Sequence, residues 1–132
     1  MFNSIHHAAI ICSEYQKSKH FYTVILGLEV IAENYRKERN SYKLDLKLPN
    51  GCQIELFSFP NPAERANFPE AVGLRHLAFN VDSVEDTSNY LLSKGVAVEA
   101  IRVDEYTNKK FTFFKDPDGL PLELYEQTEA DM

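Results

Sequence analysis

Cysteine is scarce in this sequence. Its 132 residues hold only Cys12 and Cys52, with neither the C-x-x-C spacing of a thiolate metal site nor the density of a secreted disulfide scaffold. A reducing, cytoplasmic setting is the simplest expectation. Long apolar runs are missing too, and none approaches the ~20 residues that cross a bilayer, so no membrane partner is expected. The opening residues Met1 to His7 carry no basic flank and no apolar stretch, which excludes a secretory leader. No basic stripe interleaved with aromatics is present, and the net charge is −6, which argues against nucleic-acid binding. What remains is ordinary globular material: 44% apolar and 26% charged residues, enough to build one compact domain without staples.

The chain contains itself twice, and this decides the fold expectation. The first copy opens His7-Ala8-Ala9-Ile10-Ile11, passes Leu26-Gly27-Leu28-Glu29-Val30, and closes Pro49-Asn50-Gly51-Cys52-Gln53-Ile54-Glu55-Leu56-Phe57. The second opens His76-Leu77-Ala78-Phe79-Asn80, passes Lys94-Gly95-Val96-Ala97-Val98, and closes Pro117-Asp118-Gly119-Leu120-Pro121-Leu122-Glu123-Leu124-Tyr125. His7 to Glu55 spans 48 positions and His76 to Glu123 spans 47. Each copy reads as strand, helix, then three strands. In copy one, a strand over 5–12 precedes a helix with Ser13 and Gln16 as a capping box, ending at Leu26 with Gly27 as its stop. Strands follow near 28–35, 41–48 and 52–59. In copy two, Ser83 caps a helix over 84–93 that Gly95 ends, and strands follow near 97–103, 111–115 and 121–126. Three of the six prolines fall between residues 59 and 73, which is the natural linker. The sequence therefore reads as one domain over 1–132, with module one at about 5–59, a linker at about 60–73, and module two at about 74–127.

Successive strand residues face opposite sides of a sheet. Ile54 and Leu56 share one face, and so do Leu122 and Leu124; these aliphatic faces must cover helices. His7, Glu55, His76 and Glu123 all fall on the opposite face. Two imidazoles and two carboxylates form an N₂O₂ donor set. It suits one divalent ion, Zn, Ni, Co, Mn or Fe, and leaves positions open for substrate oxygens. His6 and His20 have no counterpart in the repeat and are not expected as ligands. Cys12 and Cys52 stand at odd separations from His7 and Glu55, which assigns both to the helix side as inert core thiols.

These residues resemble the vicinal oxygen chelate superfamily of glyoxalase I, bleomycin-resistance and extradiol dioxygenase proteins. The resemblance rests on His7-Ala8-Ala9-Ile10, Phe21-Tyr22-Thr23-Val24-Ile25-Leu26-Gly27, Arg75-His76-Leu77-Ala78-Phe79 and Asp116-Pro117-Asp118-Gly119 before Glu123. Ile54-Glu55-Leu56-Phe57-Ser58-Phe59-Pro60 and Phe111-Thr112-Phe113-Phe114 resemble a bacterial glyoxalase-like branch, often called YaeR-like. It implies an α+β fold of two βαβββ modules whose strands form a cupped eight-stranded mixed sheet. It also implies a metal-dependent lyase similar to lactoylglutathione lyase, isomerising the hemithioacetal of methylglyoxal and a thiol through an enediolate. Glu123 or Glu55 would move the proton. An epimerase or another enolising enzyme, and a non-catalytic metal-dependent binding protein, are the alternatives. Relatives usually form homodimers, and Phe57, Phe59, Phe68 and Tyr125 are candidate contacts.

Basic residues gather between the ligand strands of each module: Arg36, Lys37, Arg39 and Lys43 in the first, and Arg102, Lys109 and Lys110 in the second. They are candidate contacts for an anionic small-molecule substrate, although acidic neighbours interleave with them.

Overall fold

The computed structural model describes residues 1–128, as two compact units that divide between Glu64 and Arg65, inside the expected linker. The first unit runs β1 (His7–Cys12), α1 (Tyr15–His20), β2 (Glu29–Arg36), β3 (Ser41–Lys47) and β4 (Gln53–Ser58). The second runs β5 (Leu77–Val81), α2 (Val84–Ser93), β6 (Arg102–Val103), β7 (Lys110–Lys115) and β8 (Pro121–Glu126). Each is the βαβββ order that the repeat implies.

The eight strands form two four-stranded mixed sheets, β1-β4-β3-β2 and β5-β8-β7-β6. In both, the first and last strands of the module run parallel, side by side, and the remaining pairs are antiparallel. The register repeats as well: Ala9 stands opposite Glu55, and Ala78 opposite Glu123. Apolar alternation explains which face closes. Ile10, Cys12, Leu44, Leu46, Ile54 and Leu56 are buried on the first sheet's helix side, with Phe21 and Tyr22 of the helical segment. Leu122, Leu124, Phe114 and Thr112 are buried in the second unit with Val84 and Leu91 of α2. The two faces carrying the histidines and glutamates are therefore left open. Among the described residues, no helix is long and apolar enough to cross a membrane.

α2 spans the expected residues, and the Ser83 hydroxyl accepts the Asp86 backbone N–H as a cap. The helix of module one differs. Its cap position is Glu14, one residue later than expected, and after His20 the chain widens into a π-helical turn over Phe21–Ile25. Leu26 N–H reaches the Phe21 carbonyl at 2.9 Å, an i to i+5 bond. Gly27 then adopts φ 75° and redirects the chain into β2. Cys52 is exposed, not a core thiol. It lies between the Pro49–Gly51 turn and β4, where its N–H donates to the Asn50 side chain at 3.0 Å, so strand alternation does not govern it. Cys12 is buried as expected.

Candidate functional site

Each open face carries one histidine against one glutamate. In the first unit His7 Nε2 lies 3.4 Å from Glu55 Oε2; in the second His76 Nε2 lies 3.0 Å from Glu123 Oε1. The carboxylates are well shielded, with side chains 13% and 12% exposed, while the imidazoles are 39% and 28% exposed. Parallel pairing produces this contact. It sets the histidine at one end of the first strand diagonal to the glutamate two positions along its neighbour, with alanine between them. Ala9 and Ala78 have no bulk to cover the carboxylates, so both pairs keep an open side.

The surroundings of the two pairs have diverged. In module one Asp45 stands opposite Glu55, and Lys43 opposite Phe57. Lys43 Nζ lies 2.7 Å from Asp45 Oδ1 and 3.9 Å from Glu55 Oε1. In module two the corresponding positions are aromatic: Phe113 stands opposite Glu123, and Phe111 opposite Tyr125. The His76 ring meets Phe113 edge-on at 5.0 Å, which fixes its plane. Tyr125, two residues beyond Glu123 on the same face, donates its hydroxyl to Asp104 Oδ2 at 2.9 Å. The Tyr106 backbone N–H and that hydroxyl hold the Asp104 carboxyl below the usual carboxylate range. His6 makes a contact that its lack of a repeat partner did not suggest: its Nδ1 lies 2.9 Å from His7 Nδ1. It precedes β1, so its side chain escapes the alternation that would turn it away.

The donor set fits a divalent cation in chemistry: borderline nitrogen and hard oxygen, with the small alanines leaving approach to each pair. Among the described residues of either unit, no third histidine, cysteine, aspartate or glutamate joins a pair to make a group of three.

The basic candidates separate sharply. Lys43 lies beside Glu55. Arg36 lies over Phe57, with its guanidinium carbon 4.9 Å from the ring centroid. Arg102 lies over Phe111 at the same 4.9 Å and is bonded by Glu99 at 3.2 Å. Arg39 is exposed in the turn after β2, and Lys109 is half-buried just before β7. Lys110 is a correction. It alternates with Phe111 and so points to the helix side of β7, where its Nζ bonds Glu85 of α2 at 2.7 Å. That bond raises the Lys110 pKa and lowers that of Glu85. Lys110 therefore does not reach the face of Glu123.

Comparison with known proteins agrees with the duplicated geometry. The family model of the Glyoxalase/Bleomycin resistance protein/Dioxygenase superfamily matches residues 4–124, and the chain belongs to that superfamily. It is 61% identical to the uncharacterized protein YwkD of Bacillus subtilis (strain 168), over 96% of this chain and 99% of that one. It is 58% identical to YaeR of Escherichia coli (strain K12), over 93% and 95%. A crystal structure of a glyoxalase family protein from Enterococcus faecalis superposes with a TM-score of 0.89 at 51% identity, covering 95% of this chain and 98% of that one. A more distant likeness, 27% identity over 96% of this chain, is to lactoylglutathione lyase of Schizosaccharomyces pombe, of whose length 48% is covered.

Proposed function

We propose that this chain is a cytoplasmic, metal-dependent isomerase of the lactoylglutathione lyase kind, acting on the hemithioacetal of methylglyoxal and a thiol. The observation that carries the reading is the duplicated pair: two imidazole–carboxylate contacts on strands of identical register, 3.4 Å and 3.0 Å across, each on the open face of its sheet. His7, Glu55, His76 and Glu123 would hold one divalent ion, Zn, Ni, Co, Mn or Fe. When bound, such an ion supplies Lewis-acid polarisation of a substrate carbonyl.

The reaction is an internal redox isomerisation and needs no co-reactant. A carboxylate takes the proton from the carbon bearing sulfur and hydroxyl. The electron pair of that C–H bond becomes the C=C of an enediol, and the same proton returns to the neighbouring carbon. The hydroxyl proton passes between the two oxygens, and the thiohemiacetal carbon ends as a thioester. Glu123 is the carboxylate with freedom to do this. Among the described residues no lysine or arginine lies within ion-pair distance of it, whereas Glu55 faces Lys43. The likeness to the yeast lactoylglutathione lyase supports the substrate class.

The test is turnover by metal-loaded protein offered methylglyoxal with glutathione and with smaller thiols, followed by NMR in deuterated water. Thioester formation with at least one thiol is expected. The same preparation should behave as a homodimer in light scattering, for which the 79% exposed Phe68 is a candidate contact. Metal-loaded protein that makes no thioester from any thiol overturns the isomerase reading.

A further inference from the structure

Arg36 is held as a fixed charge with no counter-charge among the described residues. It ends β2 opposite Ser41, on the open face of the first sheet. Its guanidinium carbon sits 4.9 Å from the Phe57 centroid and 5.7 Å from that of Phe59, and the two rings are themselves stacked at 6.0 Å and 13°. One terminal nitrogen donates to the Ser41 hydroxyl at 2.9 Å, and that serine is fully buried. The Nε atom is shielded from solvent and has no hydrogen-bond partner. No carboxylate lies within ion-pair distance of Arg36 among the described residues, although Lys43 and Lys47 of the same sheet are paired with Asp45 and Glu29.

This arrangement is costly unless something completes it. A shielded donor left unmade forfeits the hydrogen bonds it had in water. A half-buried cation lacking an anion loses hydration without compensation. The aromatic platform and Ser41 orient the planar fork, which is the preorganisation a bidentate oxyanion receptor needs. Module two supplies the contrast. Arg102 stacks on Phe111 and Phe113 at 4.9 and 5.6 Å, yet its charge is met by Glu99. The duplication has kept a stacked arginine in both halves and left only that of Arg36 without a carboxylate partner. Phe57 lies two residues beyond Glu55 on the same face, about 7 Å at strand rise, so a substrate chain reaching from Glu55 meets the guanidinium next.

We propose that Arg36 is the receptor for an oxyanion, a carboxylate or a phosphate carried by the substrate, and so sets substrate class. The proposal rests on reading the open face of Glu55 as the substrate surface. Its test needs no turnover. The Arg36 Nε–H resonance of the purified chain is followed by NMR during titration with propionate and, separately, with inorganic phosphate. A saturable shift with at least one anion is expected; followed in all forms through the backbone amides of Ser41 and Phe57, which lie against Arg36, affinity should be at least tenfold lower in Arg36→Gln and intermediate in Arg36→Lys, which keeps the charge but not the fork. Response to propionate alone assigns a carboxylate, and response to phosphate alone assigns a phosphate ester. An Nε–H that neither anion moves, or unchanged affinity in Arg36→Gln, overturns the proposal. The unsubstituted chain reports directly, so a poorly folding variant does not obscure the answer. Because no thioester is monitored, the isomerase reading can fail while this one stands, and the reverse.

Discussion

Replacing His76 by alanine should abolish binding of the proposed divalent ion, and replacing His7 should do the same. Each histidine faces its glutamate across 3.0–3.4 Å, and among the described residues no third histidine, cysteine or acidic side chain completes a metal-holding group with either pair. Partners that merely orient a ligand already cost 10- to 100-fold in metal affinity when removed. Loss of a directly bonding nitrogen should cost on the order of a hundredfold or more by the same measure. The check is a competition titration against a chromophoric chelator, with the folded state verified by circular dichroism. His6→Ala serves as comparison. His6 contacts His7 Nδ1 at 2.9 Å and so acts through His7; its loss should fall within the smaller, orienting range. Equal affinities for wild type and His76→Ala would remove His76 from the ligand set.

Glu123→Gln carries the second large effect. The amide keeps the size and an oxygen donor but cannot accept the substrate proton. With metal supplied at saturation, kcat should fall by about 10²- to 10⁴-fold, the usual contribution of a positioned base. Glu55→Gln should divide differently. Glu55 is anchored by Lys43 at 3.9 Å, beside Asp45, so its loss should weaken metal binding more than it slows the saturated enzyme. Single-turnover rates at saturating metal separate the two. A kcat retained in Glu123→Gln and lost in Glu55→Gln would exchange their roles.

Much of this was legible from residues alone, because duplication writes the same information twice. Ser83 and Gly95 bracket α2 as read, and β8 spans Pro121–Glu126 as read. The histidine–glutamate contacts follow from parallel pairing of first and last strands, which the repeat order implies. Where the reading departed from the structure, the cause is local. Side-chain spacing over a single turn barely separates a 3.6-residue helix from the wider turn at Phe21–Ile25. The expected strand over 97–103 shrinks to Arg102–Val103, with one isolated bridge from Val98 to Phe114. There the Glu99 N–H still donates to the Phe113 carbonyl at 2.9 Å, but the Glu99 carbonyl is taken by the Thr112 hydroxyl at 2.7 Å, so the ladder does not continue. Charge clustering was the weakest guide. It grouped Lys110 with Arg102, yet strand alternation sends Lys110 to Glu85 on the helix side. The unpaired state of Arg36 was illegible, because acidic residues crowd it in sequence and none of the described ones lies within ion-pair distance of it.

The two modules have diverged around their histidine–glutamate pairs. At matching positions one half presents Lys43 and Asp45, and the other Phe111 and Phe113. The repeat therefore presents two chemically distinct surroundings, one charged and one aromatic.

Cobalt reports directly on whether His7, Glu55, His76 and Glu123 bind one divalent ion. Metal-depleted protein titrated with Co²⁺ should develop visible absorption that saturates at one equivalent per chain, and the His7→Ala/His76→Ala double variant should develop none. Absorption that never saturates, or a double variant that still takes up one equivalent, would contradict the account.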